Sequence, residues 1–275
     1  MLATAGALAV GWTAVTERPA YDPSRARFRH VILTDVGQVR ERNEDLAWGS
    51  DELGLFLLAD GMGGHPDGNG ASRIAIETAV ATLTGRDALT DPESRAARMA
   101  GAILAANRAI MAASPSTTTP APTGMGTTLS CLWLDGQVAE VAHVGDSRIY
   151  RLRGTVIEQL TRDHTVACEL INRGVIQADS EEARQLGHIL TQAVGLEQDL
   201  HPDTMALELT GDDVYLLCSD GLSDLVEPEL MADLLLAAEG DLDLGARSLV
   251  EAALAAGGHD NVTVLLVCRQ EDACT

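Results

Sequence analysis

The stretch that decides the fold is LLADGMGGHPDG, residues 57–68. It completes an apolar run from Leu55 to Ala59, which predicts a buried strand. The strand ends in the carboxylate of Asp60, and the glycine-rich loop that follows can adopt positive φ. Because hard metal ions bind oxygen from carboxylates, backbone carbonyls and water, this stretch favours a metal site. Taken alone, the stretch also fits a tight strand-to-helix turn with a capping aspartate.

The same arrangement recurs further along the chain. Asp220 ends the apolar run 214–219, and Asp260 directly precedes the apolar run 262–267. Asp146 is a fourth aspartate at the end of a strand-like run. Core strands pack side by side, so their ends can converge, and the carboxylates would then repel one another by several kcal/mol. Their pKa values would be raised unless cations lay among them, and two divalent ions bridged by one aspartate would remove the conflict.

The expected ligands of this site are all oxygen atoms. No His or Cys is placed for zinc, so Mg²⁺ or Mn²⁺ is the expected ion. An EF-hand in residues 60–70 is rejected, because Met62 and Gly64 occupy positions that need oxygen ligands. Two oxygen-bound divalent ions are typical of phosphoester hydrolysis, in which a bridging water becomes a hydroxide and attacks phosphorus in line. The nearby Arg40 can hold phosphate oxygens as a bidentate fork.

Composition excludes several other functions. The chain has 275 residues and a net charge of -22, which argues against a nucleic-acid partner. All 19 basic residues are arginines, so a lysine nucleophile, a Schiff base and a P-loop lysine are excluded. The 5 cysteines are odd in number and include no CxxC pair, which indicates a reducing compartment and predicts a cytoplasmic protein.

The first residues are apolar from Leu2 to Val15, but no basic segment precedes them. The run is shorter than the roughly 20 residues of a membrane span, so none is expected. Residues 1–26 are interpreted as a poorly ordered lead or a start-site artefact, with a weak tether as the alternative. Residues 27–270 are expected to form one catalytic domain, and residues 271–275 a tail.

Strands are predicted to come in meanders and helices in pairs. This order predicts an α+β fold of antiparallel sheets covered by helices, and it argues against a doubly wound parallel sheet. The predicted strands are 28–36, 46–48, 53–59, 127–134, 138–144, 147–152, 156–160, 205–209, 214–219 and 262–267. The predicted helices are 70–83, 92–113, 166–172, a stretch around 181–184, 230–238 and 244–256.

The chain resembles the metal-dependent protein serine/threonine phosphatases of type 2C, in their bacterial form. The resemblance covers about residues 28–268 and keeps the order in which the family carries its motifs. The matching segments are TDVGQVRERNED (34–45), LADGMGGH (58–65), GMGTT (124–128), VGDSRIY (144–150), LTRDHT (160–165), LTQAVG (190–195), CSDGLSDL (218–225) and GGHDNVTV (257–264).

The resemblance implies a central β-sandwich flanked by helix pairs on both faces, an αββα arrangement of four layers. The metals would lie in a cleft at one end of the sandwich. Residues 166–188 match the mobile helical flap beside that cleft, which in the family bears on substrate choice.

The resemblance also implies roles for single residues. Asp60 would bridge both ions, and the Gly61 carbonyl would bind one of them. Asp220 and Asp260 would complete the other ion's ligands. Arg40 would hold the substrate phosphate.

A second group of residues is assigned to the ions less directly. Glu44 and Asp45 would act on the first ion, largely through its water. Asp146 and Asp224, together with Asp220, match a third and weaker metal site of the bacterial members.

The proton for the leaving group has two candidate sources. Animal members carry a histidine directly after the Asp-Gly pair, and this chain has Met62 there. His65 is the candidate general acid, and the alternative is a metal-bound water. The metal-bound water is favoured, because Met62 occupies the position nearest Gly61.

The expected function is hydrolysis of phosphoserine and phosphothreonine in proteins, with two Mn²⁺ or Mg²⁺ ions. The expected partners are phosphorylated proteins, including a cognate Ser/Thr kinase and its targets, and the chain is expected to be a monomer. The alternatives are a non-catalytic phosphoprotein-binding relative and a two-metal hydrolase of small phosphoesters or nucleic acid.

Overall fold

A computed structural model of the protein describes residues 28–62, 68–85, 95–114 and 124–270. The strands are β1 (Phe28–Asp35), β2 (Leu46–Ser50), β3 (Leu55–Ala59), β4 (Leu129–Asp135), β5 (Val138–Val144), β6 (Arg148–Arg153), β7 (Val156–Gln159), β8 (Asp203–Glu208), β9 (Val214–Cys218) and β10 (Val262–Arg269). The helices are α1 (Gly68–Thr84), α2 (Arg95–Ala113), α3 (Val166–Asn172), α4 (Glu181–Leu186), α5 (Asp220–Ser223), α6 (Pro228–Ala237) and α7 (Leu242–Ala255).

The predicted strands and helices are confirmed, and the strand ends move by no more than 2 residues. Helix α5 was not predicted from the sequence. The predicted start of the second helix at Pro92, the lead 1–26, the tail 271–275 and His65 lie outside the described residues.

The strands form two five-stranded sheets, in which each pair of neighbours is antiparallel. One sheet has the order β1-β10-β9-β6-β7, and the other has the order β2-β3-β4-β5-β8. The sheets pack face to face through a shared apolar core to which both contribute. The predicted α+β sandwich is therefore confirmed.

Strand β3 is apolar on both faces because each face packs against a different part of the core. Successive side chains point to opposite faces of a strand. Leu55 and Leu57 pack with the core under α1 and α2, whereas Phe56 and Leu58 pack between the two sheets. All 5 residues of β3 are therefore buried.

The helices form the two outer layers. Helices α1 and α2 pack on each other and cover the sheet that contains β3. Helices α6 and α7 pack on each other and, with α5, cover the sheet that contains β10. The predicted αββα order is therefore confirmed, and α3 and α4 form the helical flap, packed against each other. No helix in the described ranges has the length and apolar character needed to cross a membrane.

Strand register brings the predicted site residues to one end of the sandwich. Cys218, the last residue of β9, pairs with Val264 near the start of β10. Cys218 also pairs with Arg148, the first residue of β6. Asp220, Asp260 and Asp146 lie just beyond these positions, so antiparallel pairing places all of them at the same sheet edge.

Candidate active site

A cavity of about 560 Å³ opens at this edge of the sandwich. Most of the residues predicted for the site line it, and they come from five different chain segments. They are Arg40, Glu44, Asp60, Gly61, Asp146, Asp220 and Asp260. Asp45 is buried, and Asp224 lines a neighbouring cavity of about 740 Å³ that shares Asp146 and His188 with the first.

Hydrogen bonds hold both the N–H and the carbonyl of Asp60. Its N–H donates to Thr128 Oγ1 (2.9 Å), and its carbonyl accepts from the Thr128 N–H (2.9 Å). The same carbonyl accepts from the Thr127 hydroxyl (2.7 Å). The Asp60 carboxylate is therefore attached to a backbone that is fixed in position. Burial first, and then the charges of neighbouring aspartates, raise the pKa of Asp60 well above its ordinary value.

Asp45 lies beside Asp60 and is also buried. One of its oxygens, Oδ2, accepts from the Ser219 hydroxyl (2.7 Å). The other, Oδ1, has no hydrogen-bond partner among the residues that the structure describes. Burial raises the pKa of Asp45 to about 6, although its hydrogen bonds act in the opposite direction.

Asp220 begins helix α5, directly after β9. Its Oδ1 is likewise buried and has no partner in the described part of the chain. Burial, followed by the charges of Asp146 and Asp224, raises the pKa of Asp220 well above its ordinary value. A carboxylate at the start of a helix is normally stabilised, so its raised pKa reflects the strength of the surrounding negative charge.

Asp146 sits on the turn between β5 and β6. Burial, and then the charges of Asp163 and Asp224, raise the pKa of Asp146 to about 7. Burial also raises the pKa of Asp224. The site is thus a group of carboxylates, one buried and most of the others half-buried, whose charges a cation would stabilise together.

Two histidines hold the peptide groups that precede Asp146. His143 Nε2 lies 2.9 Å from the Gly145 carbonyl and must donate to it, so its Nδ1 accepts from the Ser130 hydroxyl (2.9 Å). The Gly145 N–H donates to His164 Nδ1 (3.2 Å). Burial lowers the pKa of His143 to about 4, which keeps the ring neutral, as this hydrogen-bond pattern requires.

His143 lies in strand β5. His164 lies in a loop, but it is buried and supports the turn at Gly145. The sequence gives no sign of this contact, because the two segments are 19 residues apart.

Arg40 reaches the site from the loop after β1. One of its N–H groups donates to Asp260 Oδ2 (2.7 Å), and this bond is the largest cause of the raised pKa of Arg40. Its side chain is 46% exposed and borders the cavity. Glu44, on the same loop, has a pKa raised first by burial.

Asn261 is a structural residue that the sequence did not single out. Its side-chain amide donates to the carbonyls of Val36 and Arg42 (both 2.9 Å), and its Oδ1 accepts from the Glu44 N–H (2.9 Å). It therefore ties the loop that carries Arg40 and Glu44 to the start of β10. Its position directly after Asp260 was the available signal, but its partners lie more than 200 residues away.

The donor set can be tested against the expected ions. Its side chains offer only oxygen, and two buried carboxylate oxygens are without partners in the described residues, as Mg²⁺ or Mn²⁺ would require. Within the described ranges, no group of three or more His, Cys, Asp or Glu side chains is already arranged around a metal position. The residues therefore fit the ions in chemistry.

The family model of protein phosphatase 2C matches residues 39–242. The serine/threonine phosphatase stp of Listeria monocytogenes serotype 4b is 35% identical over 239 residues, which cover 86% of this chain and 94% of that protein. The chain belongs to the protein phosphatase 2C family.

Solved structures agree with this assignment. The Mycobacterium tuberculosis serine/threonine phosphatase PstP/Ppp is similar with a TM-score of 0.78 and 34% identity, over 89% of this chain and 100% of that chain. The catalytic domain of PstP in complex with 2 manganese ions is similar with a TM-score of 0.74 and 35% identity, over 88% of this chain and 98% of that chain.

Proposed function

We propose that this chain is a protein serine/threonine phosphatase that uses two Mn²⁺ or Mg²⁺ ions. The observation that carries the proposal is the group of converging carboxylates with raised pKa values, two of whose oxygens are buried and lack partners among the described residues. Such a group is unfavourable in an empty protein interior and favourable around cations. Manganese in the similar PstP catalytic domain supports the same choice of ion.

The ions are proposed to be held by the residues at the sheet edge. Asp60 would lie between the two ions, with the Gly61 carbonyl on one and Asp220 and Asp260 on the other. When bound, the ions would act as Lewis acids that activate water and offset the charge of the phosphate.

A second set of carboxylates would assist. Glu44 and Asp45 are proposed to act through water on the first ion. Asp146 and Asp224 are proposed, together with Asp220, for a third and weaker site, because the raised pKa values of these carboxylates indicate the same need for a cation.

Arg40 is proposed to bind the substrate phosphate. A guanidinium carries five N–H donors. The described bond to Asp260 uses only Nη2 of Arg40, so donors remain for phosphate oxygens. Asp260 would also orient the guanidinium across the mouth of the cavity. The two proposed roles of Asp260, toward the ion and toward Arg40, link substrate binding to metal binding.

The proton for the leaving serine or threonine oxygen is proposed to come from water of the cleft. Met62 lines the cavity next to Gly61 and carries no proton to give. His65 remains the alternative source. A non-catalytic phosphoprotein-binding role is disfavoured, because every carboxylate named for the ions is present in the chain.

The proposed partners are phosphorylated proteins, among them a cognate Ser/Thr kinase. The chain is proposed to act as a cytoplasmic monomer, with residues 27–270 as its catalytic domain. Its basic residues are few and its net charge is -22, which disfavours a nucleic-acid substrate.

Phosphate release from a phosphothreonine peptide tests the proposal. Activity should vanish in excess EDTA and return with Mn²⁺ or Mg²⁺, and a phosphotyrosine peptide of the same sequence should be hydrolysed more slowly. Full activity in EDTA, or recovery with Zn²⁺ alone, would overturn the proposal.

A further inference from the structure

The cavity that holds the carboxylates also carries a group of apolar side chains. The group comprises Met62, Ile189, Leu190, Ala193 and Leu196, and we call it the apolar wall. Two of its large side chains are exposed, Ile189 at 42% and Leu196 at 39%. A cavity that combines a few polar groups with an apolar surface is typical of a ligand site.

Leu196 is held in place by its backbone neighbours. The Gly195 N–H donates to the side-chain oxygen of Asn107 (2.6 Å), and the Asn107 amide donates to the Glu197 carbonyl (2.7 Å). Asn107 is buried in α2. Gly195 has a φ of 98°, and a Cβ there would collide with Ile110, so the turn depends on glycine.

Backbone hydrogen bonds also hold Ile189 and the segment that leads to Leu196. Val194 and Thr127 exchange two backbone hydrogen bonds (3.0 and 2.9 Å). The Ile189 carbonyl accepts from the Val166 N–H (2.8 Å). These bonds keep two large apolar side chains exposed on a fixed backbone.

Gly126 joins the two ends of the wall. A Cβ at this position would collide with Met62 and would lie 3.0 Å from Leu196 Cγ. Both side chains therefore lie against the bare backbone of Gly126. The apolar surface runs without a break from the residue after Gly61 to Leu196.

The charge around the wall narrows the choice of occupant. Glu197, which has no proposed role toward the ions, lines the same cavity directly after Leu196, so an acidic side chain would be repelled there. A volume of about 560 Å³ can hold a phosphorylated residue and a neighbouring side chain. Adjacent residues of an extended peptide are about 3.3 Å apart, so both can enter one cavity.

We propose that the apolar wall binds an apolar side chain next to the phosphorylated serine or threonine, so that the enzyme prefers such substrates. This inference rests on the proposed function and names the substrate class of the same cleft. The argument for a peptide as occupant is that the wall is continuous with the proposed phosphate site. Ile189 and Leu196 are then residues that determine specificity.

The test uses short phosphothreonine peptides in which one residue is varied at a time. The varied positions are the two before and the two after the phosphothreonine. Each position carries either leucine or asparagine, which have similar size and opposite polarity. At one position the wild-type kcat/KM should be at least about tenfold higher for leucine, the usual range for a hydrophobic pocket. The substitutions Leu196→Asn and Ile189→Asn should each reduce that ratio below about threefold.

The matched control is Leu244→Asn. Leu244 is 44% exposed, close to the 39% of Leu196, and it lies on α7 away from the cavity. This variant should keep the wild-type ratio. Because each ratio compares two peptides on one enzyme, a general loss of folding or activity cancels from it.

para-Nitrophenyl phosphate distinguishes failure of the proposed function from failure of this inference, because it has no residue next to the phosphate that could contact the apolar wall. If wild-type enzyme with Mn²⁺ hydrolyses neither this compound nor any peptide, the proposed function falls and the inference with it. If it hydrolyses all peptides at equal rates, only the inference is overturned. Discrimination that survives in both wall variants would also overturn it.

Discussion

Replacing Asp45 with asparagine should stabilise the metal-free protein at neutral and alkaline pH. Asp45 is 9% exposed and ionises beside the half-buried Asp60. Asparagine has nearly the same shape, keeps an oxygen for the Ser219 hydroxyl and carries no charge. The substitution therefore removes an unfavourable charge and little packing.

The size of the effect follows from the pKa of Asp45. Its pKa rises from 3.8 to about 6 on folding. Each pKa unit corresponds to about 1.4 kcal/mol, so ionising Asp45 costs the folded protein about 3 kcal/mol by pH 8. The folded state binds the Asp45 proton more tightly than the unfolded state does. Protonated Asp45 therefore contributes its full stability below the unfolded pKa, and this contribution is lost as pH rises through the folded pKa. Between pH 5 and pH 8 the loss is about 1.4 kcal/mol.

Urea unfolding in EDTA at pH 5 and pH 8 measures this difference. Asp45→Asn should gain about 1.4 kcal/mol relative to wild type between the two pH values, whatever its effect on packing. Asp233→Asn, an exposed change on α6, is the control and should follow wild type. If Asp45→Asn and Asp233→Asn show the same pH dependence, the electrostatic account of the site is wrong.

Substitutions at three further residues test separate parts of the site. Arg40→Ala should raise KM more than it lowers kcat, and Arg40→Lys should recover only part of the loss because a point charge cannot form the bidentate fork. Steady-state kinetics with a phosphothreonine peptide measure both constants. Unchanged kinetics in both variants would contradict the role of Arg40. His65→Ala should slow peptide and para-nitrophenyl phosphate alike and weakly, whereas a loss of about a hundredfold confined to the peptide would identify His65 as the general acid. Asn261→Ala removes 3 hydrogen bonds at about 1 kcal/mol each, so urea unfolding should show a loss of about 3 kcal/mol. The exposed Asn172→Ala is its control, and an equal loss in both would refute the role of Asn261.

The order of elements and the position of the aspartates could be predicted from the sequence, because both depend on local patterns. An apolar run that ends in Asp-Gly marks where a strand stops, as at Asp60 and Asp220. Antiparallel pairing then brings strand ends together without any further information. The antiparallel sheets and the convergence of the aspartates therefore followed from short segments, whereas the four-layer sandwich was implied by the resemblance to the type 2C family.

Contacts between distant segments could not be predicted in this way. The bond between Ser219 and Asp45 joins residues 174 positions apart, and those of Asn261 span more than 200. The role of His164 under Gly145 depends on how a loop folds back on the β5–β6 turn. Nor could the apolar wall be predicted, since Leu196 is indistinguishable in sequence from any leucine near a loop. Helix α5 has only 4 residues, too few for a periodic pattern.

Isothermal titration calorimetry with Mn²⁺, on wild type and Asp60→Asn, tests the central claim most directly. Wild type should bind two Mn²⁺ ions per chain in addition to any weaker site, and should release phosphate from a phosphothreonine peptide only when they are bound. Asp60→Asn should lose at least one of these ions and nearly all turnover, while its circular dichroism stays that of the wild type. If Asp60→Asn binds two ions with unchanged affinity and keeps more than a tenth of kcat, the carboxylate group around Asp60 is not the metal centre.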